Sequence, residues 1–400
     1  MRSGSCILTI NGGSSSLKFA LFRQAGSPIR VAGGVVDRIG LPETVMTVHD
    51  DKTGACERRI LGTADYAASA SHQMEWLERT VGTGSIAAIG HRVVHGGMKY
   101  GGPTAVTADL LAELRQISSY DPEHMPAEIE LIDAFQRRYP TLPHVACFDT
   151  AFHRDMPAVA RLLPLPRRYE KLGVQRYGFH GLSYAFLMKE LARVGRPGEA
   201  SGRVILAHLG NGASMAAVKD GRPVDTTMGF TPTSGLPMSR RSGDLDPGLI
   251  SYLARTEGMS ADRFHRMVNT ESGLLGLSEC SSDMRDLLRE EENDSKAAEA
   301  VALFCYQAKK AIGSLAAALG GLGTLVFSAG IGEHSPVIRA RICDGLDFLG
   351  IGVDSARNDA NAPVISKEGT PVTVRVIHTD EEREIAESVV RVLSAQRTDR

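Results

Sequence analysis

The chain has 400 residues, of which 42% are hydrophobic and 23% charged, and its formal net charge is −2. A single hydrophobic core rarely serves so long a chain, so two domains are predicted. The near-neutral charge and the lack of a long basic run make nucleic acid an unfavoured partner. The six cysteines lie far apart with no Cys-x-x-Cys pair, which predicts thiols in a reducing compartment rather than disulfides or a zinc site.

The first predicted element is a β-hairpin over residues 5 to 22, "SCILTINGGSSSLKFALF". Apolar residues precede a Gly/Ser turn and alternate with other residues after it, which is typical of two strands. The loop is not a P-loop, because Leu17 and Phe19 hold the places where that motif needs Gly and Ser or Thr. A hairpin turn can nevertheless surround an anion with its backbone N–H groups. The opening residues lack the basic and apolar regions of a signal peptide, so we expect none.

Helical patterns follow along the chain at 107–117, 126–138, 183–194, 246–256, 260–268, 296–319 and 381–396. They alternate with apolar strand patterns, which predicts an α/β architecture. Two polar, turn-rich stretches, 41–57 and 196–203, are predicted to be surface loops or insertions.

A second copy of the hairpin pattern occurs at residues 204–221, "VILAHLGNGASMAAVKDG". Gly13 and Gly212 are separated by about half the chain, and Ser15 and Ser214 by the same interval. A pattern that recurs after half the length predicts two similar domains. Chance similarity of two glycine turns is the alternative.

Residues 311–332 carry no charge and approach the length of a membrane span. Gly320 and Gly321 divide the stretch, so we predict a buried helix that ends near Leu319 and then a buried strand, "TLVFSAG". That strand leads into a "GIGE" turn and a helix with Pro336 near its start. Such a turn places a helix N-terminus beside a ligand. We expect a cytoplasmic protein without membrane contact.

Five further stretches hold candidate chemistry: "GHRVVHGG" (90–97), "CFDTAFH" (147–153), "RYGFHGLSY" (176–184), "DTTMGFTPTSGLPMSRRSGDLDPG" (225–248) and "VIHTDEEREIA" (376–386). Taken singly, each has a structural interpretation. Arg92 can pair with any carboxylate, Asp149 can cap a turn, and His180 can be a hydrogen-bonded core residue. Glu381 can occupy the first turn of a helix, where negative charge is favoured.

Taken together, these residues favour phosphoryl transfer. That chemistry needs positioned reactants, Mg²⁺ and cations that face the transferring oxygens. Arg92 and Arg241 suit a carboxylate and a phosphoryl group, because the guanidinium fork matches both geometries. His180 adds a donor. Asp149 and Glu381 can hold Mg²⁺ directly or through water.

The order of the motifs resembles the acetate kinase family, which belongs to the actin-like and sugar-kinase-like ATPases. The matching blocks run from residue 11 to residue 382: "NGGSSSLK", "HRVVHGG", "FDTAFH", "RYGFHG", "HLGNGAS", "RRSGDLDP" for the family's "TRSGDLDP", "AGIGE" and "TDEE". The resemblance implies two similar actin-like, ribonuclease H-like α/β domains with a cleft between them. It places 1–150 plus 385–400 on the carboxylate side, and 151–384 on the nucleotide and dimerisation side.

The resemblance also implies a role for each matching residue. The catalytic residues would be Asp149, His180 and Arg241, and the carboxylate site would comprise Arg92 with the apolar Val94, Phe179 and Pro232. The nucleotide would contact Lys18, His208, Leu209, Gly210, Asn211, Gly212, Asp283, Met284, Arg285, Gly330, Ile331, Gly332, Glu333 and His334. Mg²⁺, with Mn²⁺ as a substitute, would be held by Asn11 and Glu381. A homodimer is implied.

Three departures from the family pattern stand out. His334 replaces the asparagine of "GIGEN", and Ser239 and Arg240 replace a Gly-Thr pair before Arg241. The third lies in "YDPEHMPAE" (120–128), which aligns with the family's "LAPLHNPAN". Glu123 then stands where an apolar residue helps to enclose the acetate methyl group. A carboxylate there is unfavourable beside another carboxylate, so either Glu123 turns outward or the pocket has a different shape.

The predicted reaction is reversible, Mg²⁺-dependent transfer from ATP to acetate, which gives acetyl phosphate and ADP by direct in-line attack. Propionate, butyrate or another short carboxylate is the alternative within the class. A nucleotide-driven switch ATPase, as in actin or chaperone relatives, is the alternative of another class. The sequence leaves the acyl preference, the direction in the cell and the oligomer's size open.

Overall fold

The computed structural model describes residues 6–13, 16–24, 27–51, 53–80 and 83–398, which form two compact units. Unit 1 comprises the described residues within Met1–Phe152, Gly181–Phe186 and Asp380–Arg400. Unit 2 comprises His153–His180 and Leu187–Thr379. The predicted boundaries assigned 151–152, 181–186 and 380–384 to the second domain. The functional division between the two domains stays a prediction.

Each unit is built on one β-sheet. The strands are β1 (Cys6–Gly12), β2 (Ser16–Arg23), β3 (Ile29–Asp37), β4 (Thr44–Asp50), β5 (Cys56–Gly62), β6 (Ile86–Val93), β7 (Thr104–Ala105), β8 (His144–Phe148), β9 (Arg203–Leu209), β10 (Ala213–Lys219), β11 (Arg222–Thr226), β12 (Thr324–Ser328) and β13 (Thr373–Val376). The strand order is β5-β4-β3-β2-β1-β6-β8-β7 in unit 1 and β11-β10-β9-β12-β13 in unit 2.

The helices surround these sheets in both units. They are α1 (Tyr66–Thr80), α2 (Ala108–Gln116), α3 (Met125–Arg138), α4 (Ala158–Arg161), α5 (Gly181–Val194), α6 (Gly248–Glu257), α7 (Ala261–Arg266), α8 (Gly273–Ser278), α9 (Met284–Glu290), α10 (Ser295–Leu319), α11 (Ala329–His334), α12 (Pro336–Cys343), α13 (Ser355–Asp359) and α14 (Glu381–Thr398). A π-helical segment, Met267–Glu271, follows α7.

The two sheets share one topology. In unit 1, β1 pairs antiparallel with β2 and parallel with β6, and β6 pairs parallel with β8. In unit 2, β9 pairs antiparallel with β10 and parallel with β12, and β12 pairs parallel with β13. The order β3-β2-β1-β6-β8 therefore recurs as β11-β10-β9-β12-β13. The predicted pair of similar α/β domains is confirmed at the level of these two folds.

Both predicted hairpins form. Asn11 on β1 lies opposite Lys18 on β2, and Leu209 on β9 lies opposite Ala213 on β10. Ser15, which the repeat pairs with Ser214, lies outside the described residues. Within the second turn, the amide of Gly210 donates to the carbonyl of Gly212 over 3.0 Å. The glycine turns therefore close in the way that the sequence predicts.

The prediction of a loop over 41–57 is wrong, because the stretch contributes β4 and the start of β5. Thr44, Met46 and Val48 are buried and alternate with residues that are more exposed. This period-2 pattern of β-branched and apolar residues outweighs the turn-forming residues around it. The 196–203 stretch is a turn region, as predicted, although its Glu199 pairs with the buried Arg375 over 2.6 and 2.9 Å.

The uncharged stretch 311–332 divides as predicted into the end of α10, at Leu319, and strand β12. Gly320 caps α10 in the left-handed conformation, with φ of 69°, which glycine adopts readily. The predicted "GIGE" turn is wrong, because α11 covers these residues. None of the described helices is both long and apolar enough to cross a bilayer.

Helix α14 packs against the sheet of unit 1 through Ile385, Ala386 and Val389. Strand β6 passes so close to this helix that only glycine fits at position 90. A Cβ on Gly90 would lie 2.5 Å from Cγ2 of Ile385 and 2.7 Å from Cγ2 of Val389. Such a contact forces the helix away from the sheet.

We therefore expect Gly90→Ala to lower the free energy of unfolding by about 1–3 kcal/mol, as overpacked cores do. Urea denaturation measures the change. Gly102→Ala is the control, since a Cβ there meets no atom of the described chain within 4 Å. Equal stability losses in both variants would contradict this account of the packing.

Candidate active site

The carboxyl ends of two parallel strands bring Arg92 and Asp149 together in unit 1. Arg92 lies near the end of β6 and pairs in register with Cys147 on β8. Asp149 follows β8 directly, and its amide donates to the carbonyl of Val93 over 3.0 Å. The sheet register therefore fixes the positions of both side chains.

The guanidinium of Arg92 is held by three acceptors. Its Nε and Nη2 both donate to Oδ2 of Asp149, over 3.1 and 2.7 Å. Its Nη1 donates to the carbonyl of Gly12 over 2.6 Å and to Oε1 of Glu128 over 3.0 Å. Although burial lowers the pKa of Arg92, Asp149 and Glu128 raise it above its usual value. Arg92 is therefore a permanent cation that two carboxylates hold rigidly beside the first hairpin turn.

One oxygen of Asp149 is left for a ligand. Oδ1 is buried and has no hydrogen-bond partner within the described part of the chain, whereas Oδ2 takes both bonds from Arg92. An unpaired buried carboxylate oxygen is costly. Burial raises the pKa of Asp149, against the opposing effect of Arg92. Oδ1 of Asp149 can therefore accept a hydrogen bond from a bound ligand.

Asn11 and two carboxylates from the start of α14 form a second polar group in unit 1. Nδ2 of Asn11 donates to Oε2 of Glu381 over 2.9 Å and to Oε1 of Glu382 over 3.0 Å. Desolvation lowers the pKa of Lys18, but Glu382, Glu381 and Asp37 together raise it above its usual value. Lys18 is therefore a stable cation beside this acidic group.

Asn11 and Glu381 fit the type of Mg²⁺ site that occurs in phosphoryl-transfer enzymes. No cluster of three or more His, Cys, Asp or Glu that could hold a metal occurs among the described residues. Mg²⁺ in such enzymes is usually held by one or two carboxylates, by water and by substrate phosphates. Glu381 and the amide oxygen of Asn11 are hard donors of the required type, and the orphan Oδ1 of Asp149 can accept from a water of that ion.

In unit 2, His180 occupies a strained backbone position at the start of α5. Its φ of 58° is rare for a residue other than glycine. Its Nδ1 shares a hydrogen bond of 2.8 Å with Oγ of Ser214 on β10. Its ring stacks on His208 with a centroid distance of 4.2 Å. These contacts fix the imidazole and leave Nε2 directed at the second hairpin turn.

Arg241 reaches the same turn. A Cβ built on Gly212 would lie 3.0 Å from Nε2 of His180 and 3.7 Å from Nη1 of Arg241. Nη1 of Arg241 also donates to the carbonyl of Pro232 over 3.2 Å. The structure thus brings two nitrogen donors to one glycine of the predicted phosphate-binding hairpin.

We expect Gly212→Ala to lower kcat by about tenfold or more, because the new methyl group displaces His180 by a few tenths of an ångström and small displacements of catalytic groups are costly. Steady-state kinetics measure the change. Thermal unfolding is the control, and we expect the melting temperature to stay near that of the wild type. An unchanged kcat would contradict the catalytic role predicted for His180.

The second hairpin also lies beside the start of α11. A Cβ on Gly210 would be 3.5 Å from Cβ of Ala329 and 3.7 Å from the amide nitrogen of Gly330. Gly330 itself is exposed. Backbone N–H groups of a glycine turn and of a helix start are typical phosphate-binding elements. The nucleotide contacts of 208–212 and 330–334 stay a prediction.

Glu333, predicted to contact the nucleotide, has its carboxylate turned into the protein. Oε1 accepts from the amides of Ala329 and Thr379 over 2.7 and 3.1 Å, and Oε2 bonds Nδ1 of His378 over 2.5 Å. Burial raises the pKa of Glu333, but these hydrogen bonds lower it below its usual value. Glu333 therefore holds Ala329, whose φ is 63°. Sequence reasoning missed this positioning role of Glu333 and the hydrogen bond that Glu333 makes with His378.

The remaining predicted nucleotide contacts lie at the start of α9. Asp283 is the N-cap of that helix, and its side chain accepts from the amide of Arg285. The Arg285 side chain is mostly exposed and donates to Asp283. Met284 is buried. Arg285 is thus exposed and Met284 buried, and their contacts with the nucleotide stay predictions.

The residues at which the chain departs from the family pattern differ in their exposure to solvent. Ser239 is buried, and its amide donates to the carbonyl of Asn211 over 3.1 Å. Arg240 is exposed, and so is His334. Glu123 is exposed as well. Arg241, rather than its neighbour Arg240, is therefore the arginine at the hairpin.

The four predicted substrate contacts divide between the units. Arg92 and Val94 belong to unit 1, whereas Phe179 and Pro232 belong to unit 2. All three apolar side chains are buried. The apolar pocket that they would form together stays a prediction.

Comparison with known proteins identifies the family. Residues 6–387 match the model of the Acetokinase family. The chain belongs to the acetokinase family. It is 42% identical to the acetate kinase of Bacillus cytotoxicus over 394 residues, which are 96% of this chain and 98% of that protein. The chain is therefore a phosphotransferase with a carboxyl group as acceptor, and the switch ATPase alternative is wrong.

Two solved structures of the acetokinase type are similar to this one. The acetate kinase of Porphyromonas gingivalis has a TM-score of 0.86 at 34% identity, over 97% of this chain and all of that one. A propionate kinase from Francisella tularensis has a TM-score of 0.89 at 34% identity, over 96% and 98% of the two chains. Both support the predicted two-domain α/β fold.

Proposed function

We propose that this chain catalyses the reversible transfer of the γ-phosphoryl group of ATP to a short-chain carboxylate, with acetate as the principal substrate. The observation that carries the proposal is the convergence of His180 and Arg241 on Gly212 in the second hairpin turn. A fixed imidazole and a guanidinium beside a phosphate-binding turn suit the charge that develops on a transferring phosphoryl group.

Arg92 binds the carboxylate substrate, and the attack is direct and in line. A carboxylate is already ionised at neutral pH, so it needs no strong general base. Asp149 orients the reacting groups through its free oxygen, Oδ1. Val94, Phe179 and Pro232 enclose the acyl chain. His180 and Arg241 stabilise the transferring phosphoryl group.

ATP binds along the second hairpin, α11 and the start of α9, and Lys18 contacts its phosphates. Asn11 and Glu381 hold Mg²⁺, or Mn²⁺ in its place. The bound ion neutralises phosphate charge. Support comes from Glu381 and Glu382, which accept hydrogen bonds from Asn11, and from the amide nitrogen of the exposed residue Gly330, which lies beside Gly210.

Propionate is the second candidate substrate. The TM-score of 0.89 with a propionate kinase favours it. We also propose a homodimer in the cytoplasm, which follows from the family resemblance. Light scattering of the purified protein tests the dimer.

A hydroxamate assay tests the proposed activity. It contains ATP, Mg²⁺ and one carboxylate from a panel of formate, acetate, propionate and butyrate. We expect acyl phosphate from acetate and a smaller or comparable yield from propionate. ATP hydrolysis with no acyl phosphate from any member of the panel would overturn the proposal.

A further inference from the structure

Glu128 is a second carboxylate on the arginine that the proposed function assigns to the substrate. It lies in the first turn of α3, where negative charge is favoured. Its Oε1 accepts from Nη1 of Arg92 over 3.0 Å, and its Oε2 accepts from the amide of Val94 over 2.8 Å. Its side chain is 4% exposed. In the family stretch "LAPLHNPAN", the corresponding position is a neutral asparagine.

The charges around Arg92 are unbalanced when Glu128 is ionised. One guanidinium then faces two buried carboxylates, those of Asp149 and Glu128. A substrate carboxylate would bring a third negative charge to the same cation. Burial of an uncompensated charge is strongly unfavourable, so the ionised form of this site repels its own substrate.

We propose that Glu128 is a specificity-determining residue of the carboxylate site, and that the substrate carboxylate binds when Glu128 is a neutral acid. The inference rests on the proposed function, in which Arg92 binds the substrate. Where Glu128 is ionised before binding, one proton passes from solvent to it as the carboxylate binds and returns to solvent when the product leaves. The number of buried negative charges on Arg92 therefore stays at two.

Protonation also changes the hydrogen bonds that Glu128 can make. An ionised carboxylate only accepts, whereas a carboxylic acid has one O–H donor. One oxygen of the neutral acid can still accept from the amide of Val94. The proton on the other oxygen gives an incoming carboxylate a donor in addition to Arg92. Glu128 thus turns from a competitor of the substrate into its partner.

The surroundings of Glu128 favour the neutral form near physiological pH. Burial raises the pKa of Glu128 to about 8, although Arg92 and the amide of Val94 act in the opposite direction. The charged and titratable groups that surround it come from every neighbouring element: Arg92 on β6, Asp149 after β8, Asp121, Glu123 and His124 before α3, and Tyr66 on α1. Asp121 and Asp149 both add to the upward shift.

A small cavity gives the proton a route. It holds about 20 Å³ and is lined by Gly12, Tyr66, Glu123, His124, Glu128 and Leu131, among others. That volume suffices for one water molecule with polar neighbours. Glu123 lines this cavity and is also exposed to solvent. Glu128 can therefore exchange its proton with solvent from the side of α1 and α3.

The pH dependence of KM tests the proposal. For the wild type, we expect KM for acetate to rise about tenfold between pH 7 and pH 9, because the competent form is depleted above the pKa. KM for ATP should not follow this rise. In Glu128→Gln, which mimics the neutral acid, KM for acetate should change less than about twofold over the same range. A purely structural clamp on Arg92 would give no such difference in slope.

Glu130→Gln is the matched control, since Glu130 is an exposed residue of the same helix. We expect it to keep the slope of the wild type. A slope that persists in Glu128→Gln, or a flat profile in the wild type, would overturn the proposal. An assay in which the wild type forms no acyl phosphate at any pH would instead overturn the proposed function.

A second measurement uses the wild type alone, so it does not depend on how the variant folds. Acetate is titrated into the enzyme with ADP and Mg²⁺ at pH 9, in buffers with different ionisation enthalpies. The buffer dependence of the heat should report uptake of nearly one proton per acetate bound, about ten times the uptake at pH 7. Binding without proton uptake at pH 9 would overturn the proposal.

Discussion

Arg241→Ala should lower kcat for acyl phosphate formation by about 10³-fold, since a single donor to a developing oxyanion contributes 10²–10³ and an arginine finger more. KM for ATP should change little, because the guanidinium contacts the transferring group rather than the nucleotide. Arg241→Lys should remain about 10²-fold impaired, since lysine keeps the charge but loses the planar fork. The hydroxamate assay measures all three quantities.

Arg240→Ala is the control for that experiment. Arg240 is the exposed neighbour of Arg241, so its removal subtracts the same charge from the same segment. We expect its kcat to stay within about twofold of the wild type, as surface substitutions usually do. Equal losses in the two variants would show that net charge, rather than the position of Arg241 at Gly212, sets the rate.

Arg92→Met should reduce the free energy of unfolding by about 3–5 kcal/mol at pH 8, because it leaves the buried carboxylate of Asp149 without its cation. The loss should be smaller at pH 5. Without Arg92, the buried Asp149 has a raised pKa, and its protonation at low pH removes the uncompensated charge. Urea denaturation at the two pH values measures the difference.

Two further variants sharpen this prediction. Arg115→Met breaks an exposed ion pair with Asp133 and should cost less than about 1 kcal/mol at either pH. The double variant Arg92→Met, Glu128→Gln should be about as stable as Arg92→Met alone, since Glu128 without Arg92 is already a neutral acid. If Arg92→Met proved as mild as Arg115→Met, the account of a buried ion pair between Arg92 and Asp149 would be wrong.

Much of the fold could be predicted from the sequence because its signals are local. The hairpins at 5–22 and 204–221 follow from alternation around glycine turns, and the end of α10 follows from Gly320. Where the prediction failed, two local signals competed. In 41–57 the turn residues concealed the alternation of Thr44, Met46 and Val48. In "GIGE" the glycines suggested a turn.

The candidate site was predictable in its residue types but not in its contacts. Arg92, His180 and Arg241 occur in motifs with characteristic neighbours, so the sequence indicates their chemistry. The bond between Glu128 and Arg92 depends on how α3 packs beside β6, which no local pattern reports. Likewise, Glu333 meets Thr379 only because β12 and β13 are adjacent. The sequence directed attention to Glu123, whereas the carboxylate on the substrate arginine is Glu128.

The central claim is that His180 and Arg241 act on the transferring phosphoryl group and that Arg92 binds the substrate carboxylate. A crystal structure with ADP, Mg²⁺, acetate and a planar metal fluoride in place of the transferring group tests it most directly. We predict that His180 and Arg241 donate to the fluorides while Arg92 donates to the acetate carboxylate. A complex in which the fluoride is bound in line with acetate but beyond hydrogen-bond reach of both His180 and Arg241 would contradict the account.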